Sequence, residues 1–473
     1  MALSEWDVNR RNFLKSPAGF LGLVSLAQLL NSDRSAVASE PKATAATHFP
    51  AKAKQCIFVF LAGGLSQIDL FDPKPKLDDL HGQPVPDSMV DGYRFAFTDP
   101  KKSFLMRSPF EFKRWGKCGA EISKLLPHIA SHADDLAIVR SMHHNAFAHA
   151  QAELMALTGR DQAGHPTNGA WLSYGLGCES QNLPAYVTLI TGAAPVARSL
   201  TWGSGYLPAN HAGVLFRNDG DPLLNLSNAS GVSREARREQ LDALAKLDQL
   251  QQQRTGDAAI ESRIASYEMA YRMQMAAPEL TDFRKESQKI HQLYGTDRPG
   301  DEGHFSRNCL LARRLVEKGV RFVSIQQRKW DHHKDLNEFY PSNCREVDQP
   351  VAALLQDLKQ RGLLDSTLVV FATEFGRTPF TENVKPGPHA GRDHHPFAYS
   401  LWMAGGGVRG GQTIGQTDDF GWKITKDPVH LHDFHATMLH LFGMDHTRLT
   451  YRYRGLDHRL TEQAGKVVRP LIA

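Results

Sequence analysis

Four short, mainly apolar runs recur along this chain, and each is followed closely by polar residues. They are residues 55–61 (QCIFVFL), 136–140 (LAIVR), 320–325 (VRFVSI) and 367–372 (TLVVFA). Runs of this length, rich in β-branched side chains, predict strands that are buried on both faces. Such strands have to be covered on both sides, which restricts the chain to a small set of layered folds.

Helical patterns separate these runs. One apolar stripe ends at Gly319 and a second ends at Gly362, and each glycine is a suitable helix stop. The stripes consist of Phe305, Cys309, Ala312 and Val316, and of Val347, Val351, Leu354, Leu355 and Leu358. A helix over 150–158, a strand over 399–403 and a helix over 432–442 continue the alternation. The sequence therefore predicts an α/β fold with a largely parallel sheet sandwiched between helices.

One segment departs from this alternation. Between residues 233 and 286 the chain is rich in Arg, Glu, Gln, Ala and Leu, which favours two or three amphipathic helices. We therefore expect a helical insertion at about 230–290. A methionine and tyrosine group within it is typical of helix core rather than of a cofactor site. The group is Met269, Tyr271, Met273 and Met275.

The N-terminus has the pattern of a targeting signal. Arg10-Arg11-Asn12-Phe13-Leu14-Lys15 precedes an apolar stretch over 17–30 and the small-residue site Ala36-Val37-Ala38. This resembles a twin-arginine export signal cleaved near Ala38, and the apolar stretch is too short for a stable membrane span. We expect a periplasmic or extracytoplasmic protein, with the twin-arginine translocase as its partner during export.

The predicted organisation of the chain follows from these segments. It consists of a signal peptide over 1–38, a linker over 39–54, one α/β domain over 55–460 and a tail over 461–473.

Composition excludes several classes of function. The 55 basic and 51 acidic residues give a net charge of +4 without a basic stripe, so nucleic acid is not an expected partner. The five cysteines are scattered and form no CxxC pair, which argues against thiolate metal sites and against a disulfide framework.

Polar clusters follow each predicted strand. Open parallel sheets bind ligands outside the carboxyl ends of their strands, so we expect these clusters to meet at one edge. Neighbouring carboxylates and imidazoles suit a divalent ion, most of all Zn²⁺, with Ca²⁺ or Mn²⁺ as alternatives. The candidate metal ligands are Asp69, Asp331, His333, Glu374, Asp393 and His394.

Most of the 22 histidines are expected to be structural. That applies to His128, His132 and His165, which stand alone. It also applies to the histidines at the last predicted helix, where His432 and Asp433 are candidate N-caps. Those histidines are His430, His432, His435 and His440.

Two arginines lie beside the candidate carboxylates. Arg377 follows Glu374 and Arg392 precedes Asp393. A planar guanidinium can grip two oxygens of a phosphate or sulfate ester, which would make both arginines substrate-binding residues. The alternative is that each forms a salt bridge that orients a neighbouring carboxylate.

Taken together, the motifs resemble the exported domain of unknown function family 1501, a sulfatase-like branch of the alkaline phosphatase superfamily. The likeness spans nearly all of residues 50–450. Its motifs are Gly63-Gly64-Leu65-Ser66-Gln67-Ile68-Asp69, Phe71-Asp72-Pro73-Lys74-Pro75, Arg140-Ser141-Met142-His143, Trp330-Asp331, Glu374-Phe375-Gly376-Arg377-Thr378-Pro379, Gly391-Arg392-Asp393-His394, Ala404-Gly405-Gly406-Gly407-Val408 and Gly410-Gly411.

The resemblance implies a mixed sheet between helices, one or two divalent metals, and a nucleophile at the start of the helix after the second strand. In this sequence the helix pattern over 149–159 puts His149 where a sulfatase carries its formylglycine precursor cysteine. His149 is then a metal ligand, a general base or a nucleophile. Ser66 and His149 are the candidate catalytic residues.

The chain departs from relatives of this kind at two further positions. Gly63 stands where many of them place an aspartate, so Asp69 would have to supply that ligand, and Glu374-Phe375 replaces Asp-His. These departures favour one metal site over two.

Two functions follow as hypotheses. The first is an exported, metal-dependent hydrolase of phosphate or sulfate esters, acting on a small-molecule or glycan substrate by in-line displacement. The second is a non-catalytic exported relative that binds a glycan or assists assembly. Ligands that converge on one centre would favour the first, and splayed side chains in an apolar pocket would favour the second.

Overall fold

The computed structural model describes residues 47–473 apart from residues 94, 96–97, 218–222, 224–227, 229–230 and 257–258. The export signal predicted over 1–38, and most of the linker predicted over 39–54, lie outside the described residues.

The predicted strands are present, together with shorter ones. The described part of the chain forms β1 (Gln55–Ala62), β2 (Phe112–Trp115), β3 (Ala120–Ser123), β4 (Leu136–His143), β5 (Tyr186–Thr191), β6 (Val214–Phe216), β7 (Phe322–Arg328), β8 (Thr367–Ala372), β9 (Gly376–Thr381), β10 (Arg392–His395), β11 (Tyr399–Ala404), β12 (Gln412–Ile414), β13 (Gln416–Thr417), β14 (Ile424–Lys426), β15 (Val429–His430), β16 (Tyr451–Tyr453) and β17 (Leu456–His458).

Nine of these strands form the main sheet, in the order β12-β4-β11-β8-β1-β7-β5-β6 with β15 also beside β4. Its strand pairs are parallel, apart from those of β11, which runs antiparallel to both β4 and β8. The sheet is therefore mixed and largely parallel, which confirms the predicted fold class.

Helices lie between the strands. They are α1 (Gln67–Leu70), α2 (Lys76–Asp79), α3 (Asp87–Val90), α4 (Pro127–Ala130), α5 (His149–Thr158), α6 (Asn168–Leu176), α7 (Arg234–Thr255), α8 (Ala259–Thr281), α9 (Gln288–Tyr294), α10 (Gly300–Glu317), α11 (Leu336–Gln360) and α12 (Leu431–Leu441). Searched over the described residues, none of the helices is long and apolar enough to cross a membrane.

The sheet separates two hydrophobic cores, because successive side chains of a strand point to opposite faces. In β1, Ile57, Val59 and Leu61 enter one core with residues of α10 and α11. Phe58 and Phe60 enter the other core with residues of α6 and α12. Burial on both faces explains why β1 is apolar at every position from Cys56 to Ala62.

The segment predicted as a helical insertion contains the two long helices α7 and α8. The Ser233 hydroxyl accepts a hydrogen bond from the Ala236 amide and so caps α7. Ion pairs join the two helices, with Arg238 bound to Glu268 and Arg263 bound to Asp248. Of the methionine and tyrosine group, Met273 is buried in the first core and Met275 is exposed.

Histidines of α12 hold the far end of α5. The Nε2 atoms of His432 and His435 lie 2.8 Å from Gly159 O and 2.9 Å from Ala156 O, so both rings donate to carbonyls at the end of α5. These are structural roles, as predicted. The N-cap of α12 is His430, and its amide donates to the Asp433 carboxylate in a capping box. Of the two candidate caps, Asp433 therefore takes part in the cap, and His432 does not.

Burial of the His435 ring predicts a pH-dependent stability. Desolvation lowers the pKa of His435 to about 3, whereas an unfolded histidine titrates near 6.5. Between these values the unfolded chain binds the extra proton, so this residue's contribution to the free energy of unfolding is full above pH 6.5. It falls by about 1.4 kcal/mol for each pH unit below that value.

The measurement is urea unfolding of the wild type and of His435→Gln between pH 7.5 and pH 4.5. The amide of glutamine keeps a donor but does not titrate, so we expect the variant to lose stability less steeply on acidification. Parallel curves would contradict the assignment.

Candidate metal centre

The loops after β1 and β7 approach each other as closely as backbone allows. Gly63, directly after β1, has φ +123°, and a Cβ there would lie 2.5 Å from Asp331 N and 2.7 Å from Trp330 N. Only glycine fits such a contact. An aspartate at this position is therefore sterically excluded, and the loop that carries Asp331 occupies its place.

Asp331 lies among three imidazoles. His149 Nε2 is 3.1 Å from Asp331 Oδ2, and His333 Nε2 and His394 Nε2 are 2.8 and 3.4 Å from Asp331 Oδ1. The Nε2 atoms of His333 and His394 are 3.0 Å apart. One ligand atom from each of the four residues lies within 4.8 Å of all the others. The structure thus brings together three of the predicted metal ligands and His149.

Each of these three rings is held from behind through Nδ1. His149 Nδ1 is 2.8 Å from Glu374 Oε1, His394 Nδ1 is 2.7 Å from Phe147 O, and His333 Nδ1 contacts Glu382 Oε2. Carbonyl and carboxylate oxygens only accept hydrogen bonds, so Nδ1 carries the proton. In a neutral ring the lone pair on Nε2 then points towards Asp331.

The carboxylates around Asp331 and His149 favour positive charge in this cluster. Burial opposes ionisation of the Asp331 carboxyl, but the three histidines and Arg377 hold its pKa well below the usual range. Burial lowers the pKa of His149, and the Asp331 and Glu374 carboxylates outweigh it and raise that pKa to about 9. Glu382 and Asp393 add two more carboxylates close to His333. A cation among these groups would offset the negative charge.

The donor set fits a borderline divalent ion. Three imidazole nitrogens and one carboxylate oxygen are typical ligands of Zn²⁺. Ligand atoms around a tetrahedral zinc lie about 3.3 Å apart, given zinc–nitrogen bonds of about 2.0–2.1 Å. His333 Nε2 and His394 Nε2, which are 3.0 Å apart and 2.8 and 3.4 Å from Asp331 Oδ1, lie close to that spacing. His149 Nε2 lies 3.1 Å from the other oxygen of the same carboxylate, Oδ2.

A second possible ligand group consists of His333, Glu382 and Asp393. It shares His333 with the first group, and a neutral imidazole has one lone pair to give. Glu382 moreover contacts the Nδ1 side of that ring. The two groups therefore describe one place for an ion rather than two.

Glu374 lies one hydrogen bond behind the ligand group. Its Oε1 accepts from Gly63 N at 2.7 Å as well as from His149, and its Oε2 accepts from the Thr373 hydroxyl at 3.0 Å. The carboxylate is completely buried. It therefore orients His149 and secures the β1 turn, although the sequence indicated it as a direct ligand.

Phe375 packs against two of the candidate ligands. Its ring centroid is 4.4 Å from that of His394 and 5.1 Å from that of His149. The departure from Asp-His at positions 374 and 375 thus leaves a carboxylate behind His149 and an apolar ring against the imidazoles.

Arg377 joins the loops around Asp331. Its Nη2 donates to Asp331 Oδ1 at 2.6 Å, its Nε to Gly64 O and its Nη1 to Arg392 O, both at 2.9 Å. The side chain is 1% exposed. Of the two alternatives left open by the sequence, the salt bridge that orients a carboxylate is the one present.

Asp69 and Arg392 form a separate buried pair. Arg392 Nε is 2.9 Å from Asp69 Oδ2 and Nη2 is 3.2 Å from Asp69 Oδ1, with both side chains fully buried. The other Arg392 donors reach the carbonyls of Met106, Arg107 and Thr378. Asp69, predicted as a ligand, lies outside the candidate ligand groups, and Arg392, predicted as an ester contact, pairs with it instead.

Ser66 contacts this buried pair through Asp69. Its hydroxyl donates to Asp69 Oδ2, its amide donates to the Tyr340 hydroxyl, and the residue is fully buried. A catalytic role for Ser66 is not supported, because its hydroxyl is committed to Asp69.

Asp393 is buried and serves the backbone. It accepts from the His394 amide at 2.7 Å and from the Thr98 amide at 3.1 Å.

Glu382, which lies between β9 and β10, was missed in the sequence. No motif marks it, and only the pairing of those two strands brings it to His333.

A model of the family described as proteins of unknown function, DUF1501, matches residues 53–472. No curated protein matches the sequence.

Solved structures similar to this chain include three hydrolases. PsFucS1 sulfatase from Pseudoalteromonas sp. has 13% identity and a TM-score of 0.36, over 91% of this chain and 72% of that chain. Phosphonate monoester hydrolase from Silicibacter pomeroyi has 12% identity and a TM-score of 0.31, over 73% and 71%. Alkaline phosphatase from the Antarctic bacterium TAB5 has 8% identity and a TM-score of 0.30, over 77% and 94%.

The buried pair predicts a purely structural effect for Asp69. Asp69→Ala leaves the Arg392 charge without its partner, so we expect the free energy of unfolding to fall by about 3–5 kcal/mol. Bound metal per folded chain should stay at the wild-type value. Denaturant unfolding and elemental analysis measure the two quantities, with exposed Asp365→Ala as the control. Loss of metal from folded Asp69→Ala would restore Asp69 as a ligand.

Proposed function

We infer the activity of this chain, which belongs to the DUF1501 family of proteins of unknown function, from the geometry of the candidate metal centre. We propose that it is an exported, metal-dependent hydrolase of phosphate or sulfate esters. The observation that carries this proposal is the orientation of His149, His333 and His394, whose Nδ1 atoms are all held by acceptor oxygens. Outer hydrogen bonds of this kind fix the tautomer of histidines that bind metals.

The proposed ligands are His149, Asp331, His333 and His394, with Zn²⁺ as the preferred ion because three of the four donors are imidazoles. When bound, such an ion acts as a Lewis acid toward an ester oxygen and toward water. Glu374 and Glu382 hold two of the ligand rings, and Arg377 holds the carboxylate.

The proposed role of His149 is that of a ligand. Its Nδ1 is taken up by Glu374, so only Nε2 can face outward, and Nε2 lies 3.1 Å from Asp331 Oδ2. A general base or a nucleophile would need that same atom. His149 is the first residue of α5, the position at which the family resemblance implies a nucleophile. We propose that it serves there as the fourth ligand instead.

Part of the cluster is exposed to solvent. The Asp331 side chain is 35% exposed and that of His333 is 25% exposed, whereas His394 and Arg377 are each 1% exposed. Solvent thus reaches one side of the cluster and protein encloses the other. The convergence of the ligands also favours hydrolysis over the binding or assembly alternative.

Metal content and turnover test the proposal. We expect about one Zn²⁺ per wild-type chain, with hydrolysis of an aryl phosphate or an aryl sulfate. Asp331→Ala should lower the turnover by at least about 100-fold and reduce the bound metal. Asp365→Ala replaces an exposed aspartate and should change neither. A metal-free wild type that is inert on both esters would sink the proposal.

Glu382 provides a second test, directed at the hydrogen bond behind a ligand. Glu382→Gln weakens the acceptor of His333 Nδ1, so we expect the affinity for Zn²⁺ to fall by about 10- to 100-fold. Competition with a chromogenic chelator measures this affinity, and exposed Glu338→Gln is the matched control. An unchanged affinity would show that Glu382 does not orient the ring.

A further inference from the structure

The proposed substrate carries negative charge, and the arginines next to the site do not reach it. Arg377 and Arg392 are enclosed by protein acceptors and are 1% and 0% exposed. Asp331, Glu374, Glu382 and Asp393 make the surroundings acidic. We infer that Arg198, on the loop after β5, binds the anionic group of the substrate. This inference rests on the proposed hydrolase function.

The topology places this loop at the same edge as the metal centre. Strand β5 runs parallel to β7, and β7 runs parallel to β1, so their carboxyl ends share one edge of the sheet. Asp331 follows β7 at that edge, and the loop of residues 192–197 follows β5 there.

Glu153 ties the loop to the helix that presents His149. Its two carboxylate oxygens accept from Val196 N at 2.9 Å and from Ala197 N at 2.7 Å, and the side chain is fully buried. Glu153 lies four residues after His149 in α5, which corresponds to about 6 Å along the helix axis. The amides of Val196 and Ala197, just before Arg198, are therefore held by a side chain that lies one helical turn after a proposed ligand in α5.

The loop is also fixed on its other side. The Thr201 hydroxyl oxygen lies 2.8 Å from Arg198 O and 2.9 Å from Gln326 Oε1, and Thr201 is fully buried. A short 3₁₀ helix runs from Arg198 to Trp202. Arg198 consequently projects from a backbone held at both ends.

Arg198 itself has two unusual properties. Its φ is +50°, a conformation that is costly for a residue with a side chain and that often occurs at functional sites. Its side chain is exposed, and no ion pair or hydrogen bond of its guanidinium was found within the described part of the chain. The guanidinium is thus available to a ligand.

The chemistry suits a phosphate or sulfate group. A guanidinium offers parallel N–H donors that match two oxygens of one tetrahedral anion, whereas a lysine offers a point charge. Because its side chain is exposed, Arg198 would hold the ester from the solvent side.

Titration calorimetry with inorganic phosphate and inorganic sulfate tests this inference on zinc-loaded and zinc-free protein. We expect Arg198→Gln to weaken anion binding by about 10- to 100-fold and to raise the KM for aryl esters, while bound metal is unchanged. Arg198→Lys should retain part of the affinity. The matched control is Arg454→Gln, since Arg454 is also exposed with φ +50°, and it should bind as the wild type does.

Two results would overturn the inference. The first is that Arg198→Gln binds the anions as the wild type does. In that case a loss of affinity in Arg328→Gln, which changes another exposed arginine at the same edge, would assign the anion to Arg328. The second is a wild type that binds neither anion. If the wild type holds metal and hydrolyses esters while Arg198→Gln is unaffected, only the role of Arg198 fails. A metal-free and inert wild type would remove the proposed function itself.

Discussion

The arrangement of the site depends on the Asp331 carboxylate. Three imidazoles and one guanidinium lie within 3.4 Å of its two oxygens. These partners come from the helix after β4, from the loop after β7 and from strands β9 and β10, so one side chain joins segments that are distant in sequence. The close approach at Gly63 sets where that carboxylate can stand.

Two buried arginines provide the framework behind it. Arg377 donates to carbonyls of the β1 turn and of β10, and Arg392 donates to carbonyls of Met106 and Thr378. A guanidinium has five N–H donors in a rigid plane, so it can satisfy several loop carbonyls at once. Loops lack the regular backbone hydrogen bonds of helices and sheets. The two arginine side chains bind the loop carbonyls in their place.

The sequence was informative where burial produces a pattern. Strand β8 begins at the predicted residue, and the proposed ligands Asp331 and His333 follow β7, at the edge where the carboxyl ends of the parallel strands had to meet. His394 lies within β10, which pairs with β9 outside the main sheet. The direction of side chains within the loops was not predictable. Asp69 and Arg392 stand far apart in sequence with nothing to mark them as partners, and Glu382 reaches His333 through the pairing of β9 with β10.

The position of the four proposed ligands has a consequence for biogenesis. They span residues 149–394, more than half of the chain. They come from separate segments, and no single segment supplies all four. The ion can therefore be captured only after the sheet has brought the loops together. If the chain crosses the membrane already folded, as a twin-arginine signal would require, the ions of the compartment of synthesis decide which metal it carries outside.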